Sequence, residues 1–201
     1  MCNDYESHIA YSQYQALMEQ MDIGVPAYDG EDPMPFADDI RIGQPGPVMI
    51  PDGNGAKLLR ATFGKPQPGK GPLFNFRSEG RHFADSPRCI VPASAFFEFT
   101  GEKSPKTKHR FVLQGAPMMG IAARYWPEEN AFAMLTTSPG PDIQPYHDRQ
   151  IVILRPEQWA AWLYLRPGDE AQLLTHLAAG SLGHSVVRVG KGEEHLYQVG
   201  Q

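Results

Sequence analysis

Apolar and polar positions recur with different periods along the chain, and these periods divide it into elements. Ala10, Tyr14, Leu17, Met18 and Met21 fall at helical spacing in a segment ending near Gly24 and Pro26, which predicts an amphipathic N-terminal helix. From Tyr28 to Pro47 the chain is rich in Asp, Pro and Gly without visible periodicity and reads as a long loop. Strand-like runs then follow in quick succession: PVMIP, KLLRATFG, RCIVPASAFFEF, HRFVLQG, MMGIAARYW, FAMLTTS and QIVILR, most of them bounded by Gly, Pro or charged turns. They predict a predominantly antiparallel β body. One helix is expected on Trp159, Trp162 and Leu163 after Pro156, and another on Leu173, Leu174 and Leu177 with Gly180 as its stop. SVVRV supplies a last strand, and the fold class is α+β. GKPQPGKGP, residues 64–72, reads as a surface connection to the segment around Asn75. No internal repeat, low-complexity tract or linker divides residues 1–201, so one domain is expected.

Composition narrows the class. With 41% apolar and 20% charged residues, 201 positions suffice for one ordinary hydrophobic core. No apolar run approaches the roughly 20 residues needed to cross a bilayer. The start MCNDYESHIA carries neither a basic leader nor an apolar core, so a soluble cytoplasmic protein without membrane contact is expected. Cys2 and Cys89 are the only cysteines, which leaves no disulfide framework and no zinc-ligand spacing. The formal charge of −5 argues against a broad basic face of the kind that dominates nonspecific duplex binding, so any nucleic-acid site must be a local groove.

Cys2 is the most informative residue. Removal of Met1 before a small side chain exposes an α-amine beside a thiol, and an α-amine with a pKa near 7.7–8.0 is partly neutral and nucleophilic at pH 7. A 1,2-aminothiol attacks aldehydes: the amine forms an imine and the thiol closes on the same carbon, giving a thiazolidine. Alone, Cys2 is a weak signal, and a partly buried thiol without a role is the first reading of it. Glu98 is embedded among Phe96, Phe97 and Phe99, where apolar surroundings would raise its pKa and fit it for general acid work. The plain alternative is the solvent face of a half-buried strand. His147 lies with Asp148 and Arg149 in a loop between two apolar strands, placed for proton transfer, although loop histidines are mostly inert. Asn75 and Arg77 offer an amide and a guanidinium, or else an N-cap and a surface ion pair.

Taken together, Cys2, the N-x-R-x-E of Asn75 to Glu79, the R-C-x-x-P-A-x-x-F-x-E of Arg88 to Glu98, and T-T-x-x followed by H-D-R and I-L resemble the SOS-response-associated peptidase family in order and spacing. The segments HRFVLQG, MMGIAARYW and RPEQWAAWL extend the resemblance over nearly the whole core. It implies a barrel-like β core with peripheral helices and a mature N-terminal cysteine that crosslinks abasic sites in single-stranded DNA. The roles implied for this chain are catalysis by Cys2, Asn75, Glu98 and His147, with Arg77 and Arg149 gripping phosphates. No metal or organic cofactor is implied, a monomer is expected, and the peptidase label fits self-removal of Met1. Family members usually begin Met-Cys-Gly-Arg, whereas Asn3 and Asp4 stand here, and an aspartate facing phosphate would weaken DNA binding.

Two other classes stay open. An N-terminal-nucleophile amidohydrolase would use Cys2 against an amide with its own amine as base; class II glutamine amidotransferases also start Met-Cys, but glycine should follow and the chain should be much longer. A noncatalytic single-strand or RNA-binding module would use Phe and Tyr as stacking platforms with Arg77, Arg88 and Arg149.

Overall fold

The chain enters its core at once. A computed structural model describes residues 2–20, 36–53, 55–193 and 196, and its first strand, β1 (Asp4–Ser7), is buried at every position. The helix α1 (Tyr11–Gln20) follows, with Tyr14, Leu17 and Met18 buried as its apolar stripe requires. Met21, Gly24 and Pro26 lie outside the described residues, as does the first part of the expected loop. The remainder of that loop is not irregular: it holds β2 (Ala37–Arg41) and the start of β3 (Pro45–Asp52). ADDIR hides its strand character because only Ile40 is buried, while the backbone pairs with β1 in the register Asp4 to Arg41 and Tyr5 to Ile40.

The remaining strands are β4 (Gly55–Phe63), β5 (Lys65–Gln67), β6 (Lys70–Leu73), β7 (Asn75–Arg77), β8 (Arg88–Ala93), β9 (Ala95–Thr100), β10 (Thr107–Leu113), β11 (Met119–Trp126), β12 (Ala131–Thr137), β13 (Gln150–Ile151), β14 (Ile153–Leu154) and β15 (Leu182–Arg188). Pairing of β12 with β4, β4 with β3, β3 with β8, β8 with β11 and β11 back to β12 closes a ring, with β7, β13 and β14 attached to its rim. A second sheet has the order β15-β10-β9-β1-β2. All pairings are antiparallel except those of β12 with β4 and β7, so the expected antiparallel, barrel-like core is present. The surface connection expected at residues 64–72 is itself a two-stranded hairpin of β5 and β6.

Closure explains the sequence pattern. Successive residues of a strand face opposite sides, and here both sides are covered: Cys89 and Val91 join one apolar cluster with Phe63, Phe132 and Met134, while Ile90 joins another with Met18, Trp159 and Trp162. Hence β12 is buried at all seven positions, and its first five residues, Ala131 to Leu135, read as a continuous apolar run. The helix α2 (Trp159–Leu163) covers the outer face, and the Trp162 indole donates to the Cys89 carbonyl at 2.9 Å. The second expected C-terminal helix is only the single turn α3 (Glu170–Leu173), with Leu177 packing from a loop beyond it.

RCIVPASAFFEF, which reads as one strand, changes sheets at Ser94. β8 belongs to the ring and β9 to the second sheet, and the small Ala93-Ser94-Ala95 corner leaves room for the bend. The corner is tied down by Ser94 N–H to the Glu6 carbonyl (3.0 Å) and by His8 N–H to Ser94 Oγ (2.5 Å). This change of sheet brings Glu98 beside the start of the chain.

Candidate active site

β1 runs antiparallel to β9, with Tyr5 opposite Phe96 and Glu6 opposite Ala95, so the chain ahead of β1 is led back along Phe97, Glu98 and Phe99. Cys2 lies there, 1% exposed, its thiol donating to the Asp4 carbonyl at 3.3 Å. The Cys2 carbonyl accepts from Asn75 Nδ2 at 2.9 Å. Because a carbonyl only accepts, this contact fixes the amide orientation. Asn75 Oδ1 is then a buried acceptor without a hydrogen-bond partner among the described residues. β7 stands beside β12, with Asn75 level with Met134, so this one bond ties the ring to the chain start. Burial, and secondarily the nearby Glu98 carboxylate, push the Cys2 thiol well above the ordinary cysteine range. It is a thiol, not a thiolate, at neutral pH.

Glu98 is 1% exposed, not on a solvent face, because β1 and β10 flank β9 and the burial on this strand covers both sides. Burial raises its pKa to about 7. A group there divides between acid and base near neutrality, as a proton donor that must be regenerated requires. Glu98 and His147 line the same cleft of about 580 Å³, together with Asn3, Phe99, Lys106 and Arg188. The histidine sits on the turn between β12 and β13. Its Nδ1 lies 3.0 Å from the Arg149 N–H and 2.7 Å from Asp148 Oδ1. These partners ask for opposite states: the amide needs Nδ1 as acceptor, whereas the carboxylate favours a protonated ring. Burial lowers the His147 pKa, so the neutral ring prevails at pH 7.

The two arginines singled out by the motifs differ. Arg77, on the same face of β7 as Asn75, is exposed and makes no ion pair among the described residues. Arg149 is held as a fork by Glu79, at 2.5 and 2.8 Å, with Thr136 Oγ1 at 3.1 Å from the same guanidinium. The glutamate of N-x-R-x-E and the arginine of H-D-R thus pair with each other. Arg88 donates to the backbone carbonyls of Phe83, Ser86, Trp162 and Leu163, which makes it a structural tie rather than a nucleic-acid contact. Asp4 does not face outward as the sequence suggested. It is buried against Lys108 at 2.9 Å; Lys108 also donates to Asp39, and Arg41 pairs with Asp39 at 3.1 Å, so two cations match the two carboxylates. Lys106 and Arg188, the cations of the cleft, were not singled out from the sequence. They are about eighty positions apart in charged turn and strand contexts, and only the pairing of β10 with β15 brings them together.

Residues 1–190 match the protein family described as SOS response associated peptidase (SRAP). The abasic site processing protein YoqW of Bacillus subtilis (strain 168), and its counterpart in Bacillus phage SPbeta, are each 37% identical to this chain over 87 residues, which is 39% of this chain and 38% of theirs. The alignment therefore spans well under half the length of these curated relatives. Among solved structures, a protein from Bordetella bronchiseptica superposes with a TM-score of 0.68 at 20% identity, covering 94% of this chain and 100% of the other. One from Bacteroides thetaiotaomicron gives a TM-score of 0.69 at 16% identity, covering 93% and 92%. At these identities they establish the shared fold.

Proposed function

Because the chain belongs to the SOS response associated peptidase family, we propose that it processes abasic sites in DNA, Cys2 becoming joined to the lesion on a single strand. The name of the YoqW relatives supports the lesion. The observation that carries the chemistry is the meeting of separate motifs at one place: Asn75 holds the Cys2 carbonyl, and Glu98 and His147 line the cleft beside it.

In this reading, loss of Met1 frees the Cys2 amine. The ring-closed deoxyribose opens as protonated Glu98 gives its proton to the ring oxygen and the C1′ hydroxyl proton leaves to a base, for which His147 is placed. The amine adds to the C1′ aldehyde, water departs, and an imine remains. Sγ then bonds to C1′ while the thiol proton passes to the imine nitrogen, so the sum is aldehyde plus aminothiol giving thiazolidine plus water. A thiol kept protonated by burial suits this order, since it delivers its own proton at closure. Asn75 Oδ1 is free to accept from a sugar hydroxyl. Arg77 binds one flanking phosphate, and Lys106 and Arg188, which line the cleft, bind another. Arg149, already filled by Glu79, contributes less. Met1 removal is the peptidase step that the reading needs, and no metal or organic cofactor enters it.

The test uses a single-stranded oligonucleotide carrying one abasic site. After intact-mass verification that Met1 is gone, wild-type protein is expected to give a denaturation-resistant adduct, and Cys2→Ser none. An N-terminally extended chain that cannot be processed should bind the strand but give no adduct. Crosslinking by the extended chain at the wild-type rate would overturn the aminothiol reading; loss of glutamine-analogue hydrolysis in Cys2→Ser would favour the amidohydrolase.

A further inference from the structure

Behind the cleft lies a set of polar groups that the reaction above does not use. Tyr146 directly precedes His147, and its ring packs among His109, Phe111 and His184 with centroid separations of 4.7, 5.2 and 4.8 Å. The Tyr146 hydroxyl is 3.3 Å from His184 Nδ1, and His184 Nε2 is 3.0 Å from His109 Nδ1. His109 Nε2 is 2.8 Å from Thr100 Oγ1, which lies 3.5 Å from Glu193 Oε2. The Thr107 hydroxyl donates to the same oxygen of Glu193.

The direction of this chain follows from its end. An ionised carboxylate only accepts, so Thr100 donates to Glu193 and accepts from His109 Nε2–H. His109 Nδ1 is then an acceptor and takes His184 Nε2–H, which leaves His184 Nδ1 to accept from Tyr146 O–H. Each member makes its bond in the neutral state. Two amides then pass the anchorage on: Tyr146 N–H and His147 N–H both donate to the Ile143 carbonyl, at 2.8 and 3.0 Å, so the two residues share one turn. His109 is fully buried and stands directly opposite Glu98 in the register of β10 and β9.

We propose that His109 and His184 are positioning residues for His147: acting through Tyr146, they fix the turn that holds His147 over the cleft opposite Glu98. The inference rests on the reading of His147 as a proton-transfer group. It has a pH signature. The groups facing His109 are Glu98 across β9, His184 across β15, Tyr146 from the turn and Glu193 beyond Thr100. A proton on His109 makes both of its nitrogens donors, so His184 must accept at Nε2 and present Nδ1–H to the Tyr146 oxygen, which reverses the chain and places a charge in its middle. Burial, with His184 adding to it, lowers the pKa of His109 to about 4, so this reversal comes in the acid range and the neutral arrangement holds at neutrality.

The decisive variant is His109→Phe with His184→Phe, which keeps stacked rings but no hydrogen bonds; Tyr146→Phe removes only the first hydroxyl and serves if the double variant does not fold. Single-turnover crosslinking at saturating abasic DNA is measured against pH, alongside noncovalent affinity and an NMR titration of the His147 ring. The double variant should crosslink about tenfold more slowly at pH 7, a fraction of the roughly 10²–10⁴ that a placed acid–base group supplies, with affinity unchanged. Its His147 pKa should move up toward the ordinary value of about 6.5, and the acid limb of the wild-type profile should disappear. Tyr146→Phe should move both readouts the same way by less. An unchanged rate together with an unchanged His147 titration overturns the proposal. If wild-type protein makes no adduct, the proposed function fails and the titration alone decides: a shifted His147 supports positioning, and an unshifted one refutes it.

Discussion

At the scale of the residue, Glu98 couples function to stability. Its carboxyl is held near pKa 7 by burial, while in the unfolded chain it titrates in the ordinary range near 4.3. Between these values the folded protein keeps a proton that the unfolded chain has lost, so stability falls as pH rises and the loss is complete above about 7. The gap amounts to about 4 kcal/mol, of which about 3 falls between pH 5 and pH 8. Glutamine mimics the protonated carboxyl and does not titrate. Urea unfolding of wild type and Glu98→Gln at pH 5 and pH 8 should therefore show the variant gaining on the wild type by up to about 3 kcal/mol at the higher pH. An equal difference at both pH values would show that burial does not hold the proton. The residue's aromatic neighbours were legible in AFFEF; that it is buried, with both faces of its strand covered, was not.

At the scale of the element, the site depends on how closely β1 lies on the ring. A Cβ at Gly46, in β3, would fall 1.9 Å from the hydroxyl of Tyr5, far inside contact distance, so only glycine lets β3 pass beneath this buried ring. Tyr5 sits three residues from Cys2 on the strand that aims it. Gly46→Ala should then cost about 1–3 kcal/mol, the usual range for overpacking, and slow adduct formation by moving Cys2 away from Asn75. Thermal unfolding and crosslinking rate, compared with the exposed control Gly71→Ala, where an added Cβ meets nothing within 4 Å, would check this. A Gly46 variant as stable and as fast as wild type would show that β1 does not need this approach. Sequence reading missed β2 and the corner at Ser94 for a related reason: alternation reports which residues are covered, not which strand covers them.

At the scale of the molecule, a chain with net charge −5 needs its few free cations in one place to hold a polyanion. Two acidic groups do not oppose this, since buried Asp4 is paired with Lys108 and exposed Glu79 with Arg149. Binding of an intact single strand, followed against salt, should lose roughly 0.7 from the slope of log K on log salt for each phosphate contact removed. Arg77→Ala is expected to show that loss, and Arg149→Ala distinctly less, because the latter guanidinium is already occupied by Glu79. Equal slopes for the two variants would mean that the Glu79 pair opens when DNA binds.

The sequence by itself determined the main strands from Pro47 onward, the α+β class, the aromatic neighbours of Glu98 and the motifs that mark Cys2, Asn75 and His147, because these depend on local periodicity and on residue identity. Only the tertiary structure decided which charges are spent. Asp4 turns inward to Lys108, Arg149 closes on Glu79, Arg88 caps backbone carbonyls, and His109 meets His184 across strands 75 residues apart in sequence. The reason is physical: a polar side chain's chemistry is set by the partner it finds within about 3 Å, and that partner is chosen by strand register and sheet closure, which bring together residues whose separation along the chain carries no information about the meeting.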